Sequence, residues 1–283
     1  MILGRPVAET YVEDALEKLK GERILVTGAN GSIGSVLCPM LSDVGANVTP
    51  TDLEHPPYFL EAGGLDVTDP DSVEGWFHTV NPTLVFHLAA DKHAPQGEQT
   101  PENTALVNIA GTEHVLQVAN EFRAKVVMTS TCKACEPETA YGASKLIAER
   151  MVLNAGGTVA RLYNVVETQG NVFRLWEALA EDEPLPVMEC ERYFLSIDEA
   201  IALTLWAAVL PSGRYVADPG LARNMVGVAL ELYPGRQHRL LPRRRGDRAR
   251  EPLLASHEEI KETDHEWIWQ IISHHDVEGV GSE

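Results

Sequence analysis

The sequence predicts an α/β protein built on a doubly wound parallel sheet, with a smaller C-terminal α/β region. Three observations carry this. Strand-like and helix-like segments alternate from Arg23 onward, the first strand runs into a glycine-rich turn that opens a helix, and an aspartate closes the second strand. The main domain is expected over residues 1–165. Residues 166–283 are expected to form a mainly substrate-binding region, some of whose segments return to the sheet.

The elements follow in order. Val12, Ala15, Leu16 and Leu19 lie at helical spacing, so a short amphipathic helix precedes the sheet. Arg23-Ile-Leu-Val-Thr27 has the apolar, β-branched content of a buried parallel strand. Further strands are expected at 47–51, 64–67, 84–89 and 126–130, and helices at 32–41, 70–80, 104–121 and 141–153. Beyond Arg161 the regularity falls. Helices are expected at 172–180, 197–209, 224–233 and 266–275, and short strands at 214–217 and 238–241, with a frayed tail after Ser273.

Composition excludes several classes. With 44% hydrophobic and 23% charged residues in 283, the chain is neither disordered nor fibrous. No run reaches the roughly 18 apolar residues of a membrane span, and the first residues lack a secretory pattern, so a cytoplasmic protein away from membranes is expected. A net charge of −19 repels a phosphate backbone and argues against nucleic acid as a partner. Seven arginines between Arg236 and Arg250 (Arg236, Arg239, Arg243, Arg244, Arg245, Arg248 and Arg250) are either a solvated basic face or a diphosphate site. Four cysteines are too few for a disulfide framework, and no His/Cys/Asp cluster has metal-ligand spacing.

Thr27-Gly28-Ala29-Asn30-Gly31-Ser32-Ile33-Gly34 is a turn whose glycines admit a pyrophosphate and whose helix N-terminus offers free N–H groups. Asp52, eighteen residues past Gly34, can hydrogen-bond an adenosine ribose and repel a 2′-phosphate, which favours NAD over NADP. Asp66 reads either as an adenine contact or as a turn former. Tyr141 and Lys145 share one helical face, where an ammonium and a nicotinamide ring can lower the phenol toward a usable base. They follow the strand Val126–Thr131, which ends in hydroxyls.

The stretch Ser130-Thr-Cys-Lys-Ala-Cys-Glu-Pro-Glu-Thr-Ala-Tyr-Gly-Ala-Ser-Lys145 resembles the active-site segment of extended short-chain dehydrogenases. Within them it is most similar to the polysaccharide-biosynthesis UDP-N-acetylglucosamine 4,6-dehydratases. Ordered matches extend over most of the chain: Val85–Pro95 with Glu98, Asn108 with Gly111-Thr112, Arg161–Val165, Gly170–Val172, Arg192–Ile197, and Arg244 through Glu251. The resemblance implies a Rossmann-type fold and a tightly held NAD. The cofactor set is Gly28, Asn30, Gly31, Ser32, Ile33, Gly34, Asp52, Asp66, Val67, Leu88, Ala89, Ala90, Asn108, Tyr141 and Lys145. The implied substrate is a UDP-sugar held by Lys92, His93, Asn164, Asn171, Val172, Arg174, Arg192 and Arg244. A homodimer through a four-helix bundle of 104–121 and 141–153 is implied as well.

The implied reaction oxidises C4 of the hexose with Tyr141 as base and Thr131 on the C4 oxygen. Lys133 then takes the C5 proton, and water leaves from C6. One departure stands out: Cys132 occupies the position of the aspartic acid that assists loss of the C6 hydroxyl. A thiol is a weaker donor, so the product is expected to be either the usual 4-keto-6-deoxy sugar or a diverted 5,6-ene sugar. A 4-epimerase and a catalytically silent NAD/UDP-sugar-binding module are the alternatives. His87 is expected in the core or in the cofactor's shell, Cys135 is read as packing, and Arg161 is divided between diphosphate contact and structural pairing.

Overall fold

Burial selects the strands. In the computed structural model, which describes residues 2–53, 64–168, 170–244 and 246–274, Arg23–Thr27 (β1) buries its last four residues. A helix precedes it at Val12–Lys18 (α1). There follow Gly34–Asp43 (α2), Asn47–Thr51 (β2), Pro70–Val80 (α3), Leu84–His87 (β3), the single turns Ala94–Gly97 (α4) and Pro101–Ala105 (α5), Gly111–Phe122 (α6) and Lys125–Thr131 (β4). Ala140–Asn154 (α7) leads to Thr158–Leu162 (β5), buried throughout. Next come Asn164–Val165 (β6), Val172–Ala178 (α8), Leu185–Met188 (β7), Glu191–Arg192 (β8), Phe194–Leu195 (β9) and Ile197–Val209 (α9). The remaining elements are Gly213–Ala217 (β10), Arg223–Asn224 (β11), Met225–Leu232 (α10), His238–Leu241 (β12), Glu258–Glu262 (β13) and Ile268–Ser273 (β14).

The main sheet runs β2-β1-β3-β4-β5-β10-β14-β13, parallel through β10 and antiparallel in its last two pairings. The chain passes from β1 outward to β2 and then back to β3 on the other side of β1. The ligand crevice of such a sheet opens at that reversal, beyond the carboxyl ends of the strands. Helices α1, α2 and α9 cover one face with a core around Leu37, Leu41, Ile201 and Leu205, and α3 and α6 cover the other around Phe77 and Val115. A separate cluster of Phe173, Trp176, Leu185, Phe194, Met225 and Val228 holds α8, α10 and the paired strands β7 and β12 beside the sheet.

Three expectations change, and one strand was not expected at all. The segment 266–275 is not a helix: Ile268–Ser273 is a strand held between β10 and β13, with Ile268, Ile271 and Ser273 buried, and its last expected residue lies outside the described residues. The edge strand Glu258–Glu262 has too few apolar residues to announce itself and is drawn in by this pairing. The strand expected at 64–67 reduces to an isolated bridge between Asp52 and Gly64. The long helix 104–121 is broken by a π turn at Leu106–Ala110, which places Asn108 on its buried side.

Charges are also buried behind α7. Arg161, fully buried, donates to Glu149 at 3.0 and 2.7 Å and to Glu258 at 2.7 and 2.8 Å, and Arg214 reaches Glu149 at 2.8 Å. Arg161 is therefore a structural partner, the second of its two expected roles. The arginines hold Glu258 down to about 2, although burial alone pushes it up. Removing one member leaves carboxylates buried without their counter-charge. Arg161→Met is expected to cost about 3–5 kcal/mol in urea unfolding, and a change below about 1 kcal/mol would contradict the paired arrangement.

Candidate active site

The glycine turn leaves β1 with Gly28 at φ 71°, and a Cβ there would lie 2.5 Å from the backbone nitrogen of Ala89. Only glycine fits, so the turn seats directly on the Leu88-Ala89-Ala90 segment after β3. Asp52 at the end of β2 accepts the Asn30 N–H at 2.8 Å through one oxygen and the Leu53 N–H at 2.8 Å through the other. A carboxylate has lone pairs to spare for ribose hydroxyls after these two. Gly31, Ser32 and Ile33 continue the turn and Gly34 opens α2. This cradle and its acid fit a dinucleotide. Asp66 is engaged as a turn former, taking Thr68 N–H at 2.8 Å and its hydroxyl at 2.7 Å through one oxygen, while Val67 is buried against Gly111. Asn108 accepts from Asp91 N–H and donates to Asp91 O, both at 2.9 Å, and also donates to Ser144 Oγ at 3.0 Å, joining the loop after β3 to α7.

At the end of β4, Thr131 leads into a single 3₁₀ turn, Cys132–Ala134. Helix α7 starts against that turn. Thr139 caps it by accepting Gly142 N–H at 2.9 Å, and a Cβ on Gly142 would come within 2.3 Å of the Lys133 carbonyl. This close seating brings Tyr141, Thr131 and Lys133 together. Burial pushes the Tyr141 phenol up, while Lys133 and the Thr131 hydroxyl pull it back, so in the protein alone the phenol stays protonated. Lys145, buried one turn further along α7, is drawn down to about 8 by burial, with Glu149 opposing.

Sequence reasoning assigned no role to Glu251. This carboxylate, 3% exposed, accepts from Lys133 Nζ at 2.8 Å, Cys132 Sγ at 3.2 Å and Asn164 Nδ2 at 2.9 Å, with Arg192 Nε at 3.4 Å. Against the cost of burial, Lys133 and Arg192 hold it at about 2. Burial and then Glu251 push the Cys132 thiol up, so it stays protonated. Lys133, expected to take the C5 proton, is not lowered toward a free amine. Burial pulls Lys133 down, but the acidic groups Cys132 and Glu251 outweigh it, and with the thiol protonated Glu251 is the anion that keeps the ammonium. The one available signal was an acid closing the arginine-rich stretch, 119 positions from Cys132.

The other expected contacts divide. Asn164 and Arg192 converge on Glu251. Asn171 caps α8 by accepting Phe173 N–H at 3.1 Å and donates to Val165 O at 2.8 Å, which places Val172 at the helix start. Arg174, on α8, donates to Glu167 O at 3.2 Å, and exposed Arg244 pairs with Asp247 at 2.9 Å within its own loop. Lys92 and His93 are exposed after β3, with the His93 ring turned toward Gly170. A cavity of about 510 Å³ is lined by Cys190, Glu191, Asn224, Arg243 and Arg250. Another of about 440 Å³ shares those two arginines and adds Arg248, so three arginines of the basic stretch line the cavities, beside Glu136, Glu138, Glu191 and Asp247. Arg245 lies outside the described residues. No three metal-ligating side chains cluster among the described residues.

Fold and site define a Rossmann-type α/β protein with a Tyr-x-x-x-Lys helix beside a dinucleotide turn. The family profile for "Polysaccharide biosynthesis protein" matches residues 59–273, and the chain belongs to that family. It is 30% identical over 261 residues to the probable polysaccharide biosynthesis protein EpsC of Bacillus subtilis, covering 82% of this chain and 43% of that one. The chain thus spans under half of that relative. It is 24% identical to a UDP-N-acetylglucosamine 4,6-dehydratase (inverting) of Campylobacter jejuni, over 83% of this chain and 78% of the other. It is 30% identical to a UDP-glucose 4-epimerase of Rickettsia felis, over 70% and 63%. Among solved structures, Pen from Bacillus thuringiensis superposes with a TM-score of 0.80 at 22% identity, over 90% of both chains.

His87 is buried as expected, its Nδ1 2.9 Å from Thr27 Oγ1 and its Nε2 3.0 Å from Thr112 Oγ1. Burial, reinforced by Lys145, lowers it to about 3. The unfolded chain takes up this proton near pH 6.5 and the folded protein does not, so this contribution to stability shrinks as pH falls below 6.5, by up to about 1.4 kcal/mol per pH unit. Urea unfolding from pH 6.5 to 5 is expected to show a slope that His87→Asn reduces by about one proton. An unchanged slope would contradict the neutral assignment.

Proposed function

We propose that the chain is an NAD-retaining nucleotide-sugar dehydratase acting on a UDP-hexose, with UDP-N-acetylglucosamine as first substrate. The observation that carries this reading is the convergence of Tyr141, Thr131 and Lys133 at the end of β4, beside a turn built for a dinucleotide. Tyr141 takes the C4 hydroxyl proton while the Thr131 hydroxyl orients the C4 oxygen. Lys145, one turn along, favours the phenolate at the moment it forms. Bound NAD supplies the hydride acceptor for C4 and the donor that returns hydride once water has left. Asp52 supports NAD over NADP because a second anion on the ribose would face its carboxylate. Lys92, His93, Asn164, Asn171, Val172 and Arg174 are assigned to the sugar nucleotide, and Arg192 and Arg244, with the arginine-lined cavities, to its diphosphate. The named dehydratase relative supports the reaction class.

A 4-epimerase is the second reading. It is favoured by Cys132, whose S–H is already committed to Glu251 at 3.2 Å and which places no carboxylic acid at that position. The epimerase-named relative is consistent with it. Free buried cysteines and the lack, among the described residues, of a helix long and apolar enough to cross a membrane accord with a cytoplasmic setting. Leu106, in the π turn before α6, and Ile147, on α7, are 48% and 44% exposed, and a second copy is the occupant assigned to this surface.

Incubation with NAD and UDP-N-acetylglucosamine is expected to yield a product lighter by one water, and an unchanged mass with a new sugar epimer would replace the dehydratase by the epimerase. Tyr141→Phe should retain the fold and lower turnover on the order of 100-fold or more; near-normal turnover would remove the phenol from the reaction. Light scattering should give twice the 31.1 kDa chain mass, and a monomer would refute the assembly.

A further inference from the structure

The elimination needs a group that gives a proton to the leaving C6 oxygen and one that takes the proton from C5. Position 132 supplies only a thiol, already donating to Glu251 at 3.2 Å. Lys133 Nζ lies 2.8 Å from the same carboxylate, and its side chain keeps 29% exposure while Glu251 keeps 3%. The lysine is therefore the more accessible member of the pair, and the carboxylate is the buried one. Asn164 at 2.9 Å and Arg192 at 3.4 Å fix Glu251 from the other side, so it cannot swing toward a substrate without breaking these contacts.

We infer that Glu251 is a positioning residue that holds Lys133 as an ammonium in the crevice, so that Lys133 gives a proton to the departing C6 oxygen and recovers one from C5. The step balances on one nitrogen. The C6–O bond breaks with its electron pair on oxygen, which takes a proton from Nζ and leaves as water. The C5–H electrons form the C5–C6 double bond, and the C5 proton goes to Nζ. The ammonium is regenerated, no oxidant is consumed, and Glu251 stays ionised throughout. The charge states already described agree, with the lysine pushed up and the carboxylate held at about 2.

This inference rests on the dehydratase reading, and the experiment separates the two. Wild type and Glu251→Gln, loaded with NAD, are given UDP-N-acetylglucosamine. C4 oxidation is followed by reduced-nicotinamide absorbance and elimination by mass, as functions of pH. Glu251→Gln is expected to retain C4 oxidation, to lose elimination on the order of 100-fold, and to move its alkaline limb down by at least one pH unit. Elimination at the wild-type rate, or rising with pH as a free amine forms, would overturn the inference and leave the dehydratase reading intact. A wild type that neither reduces the cofactor nor loses water would overturn that reading and this inference with it. Should Glu251→Gln fail to fold, side-chain NMR of Lys133 in the wild type decides: titration above the ordinary lysine value of about 10.4 supports the ammonium, and titration below it refutes the proposal.

Discussion

The seating of the first turn of α7 on the Cys132–Ala134 turn is the contact on which the site depends. Gly142 lies where a Cβ would meet the Lys133 carbonyl at 2.3 Å, so the two turns approach as closely as backbone allows. The Thr139 cap and the bond from Ala140 N–H to Glu98 at 2.8 Å fix the direction in which the helix leaves. Tyr141 thereby stands over the end of β4, and Lys145 follows one turn later. A small shift here would separate the phenol from Thr131 and Lys133, and under the proposed function a positional loss of that kind would cost turnover steeply.

Two buried carboxylates then divide the electrostatics around α7. Glu149, on the helix itself, is held by Arg161 and Arg214 and raises Lys145 against the pull of burial. Glu251, from a loop far along the chain, gathers Cys132, Lys133, Asn164 and Arg192. One network braces the helix from the sheet and the other charges the crevice. In a chain of net charge −19, each of these two buried acids is set against two cations, Arg161 with Arg214 and Lys133 with Arg192, which offset the cost of burying it.

Much of the cofactor half was legible from residues near one another in sequence. The turn Gly28–Gly34, Asp52 at a strand end, and Tyr141 with Lys145 at i, i+4 carry their geometry in their spacing, since a turn and a helix are local objects. His87 in the core followed from its place on a buried strand. The departures came where partners are distant. Ile268–Ser273 carries no helix or strand signal strong enough to decide, and it becomes a strand because β10 offers it an open edge. Glu258 joins Arg161 across 97 positions through the edge strand that β14 captures.

By itself the sequence determined the alternation of strand and helix, the glycine turn after β1 and the Tyr141/Lys145 face, because each rests on a pattern within a few residues. Only the tertiary structure decided the protonation of Lys133 and Cys132 and the structural role of Arg161. A side chain's charge depends on what lies within a few ångströms of it, and in this protein those neighbours, Glu251 and Glu258, come from chain segments about a hundred positions away.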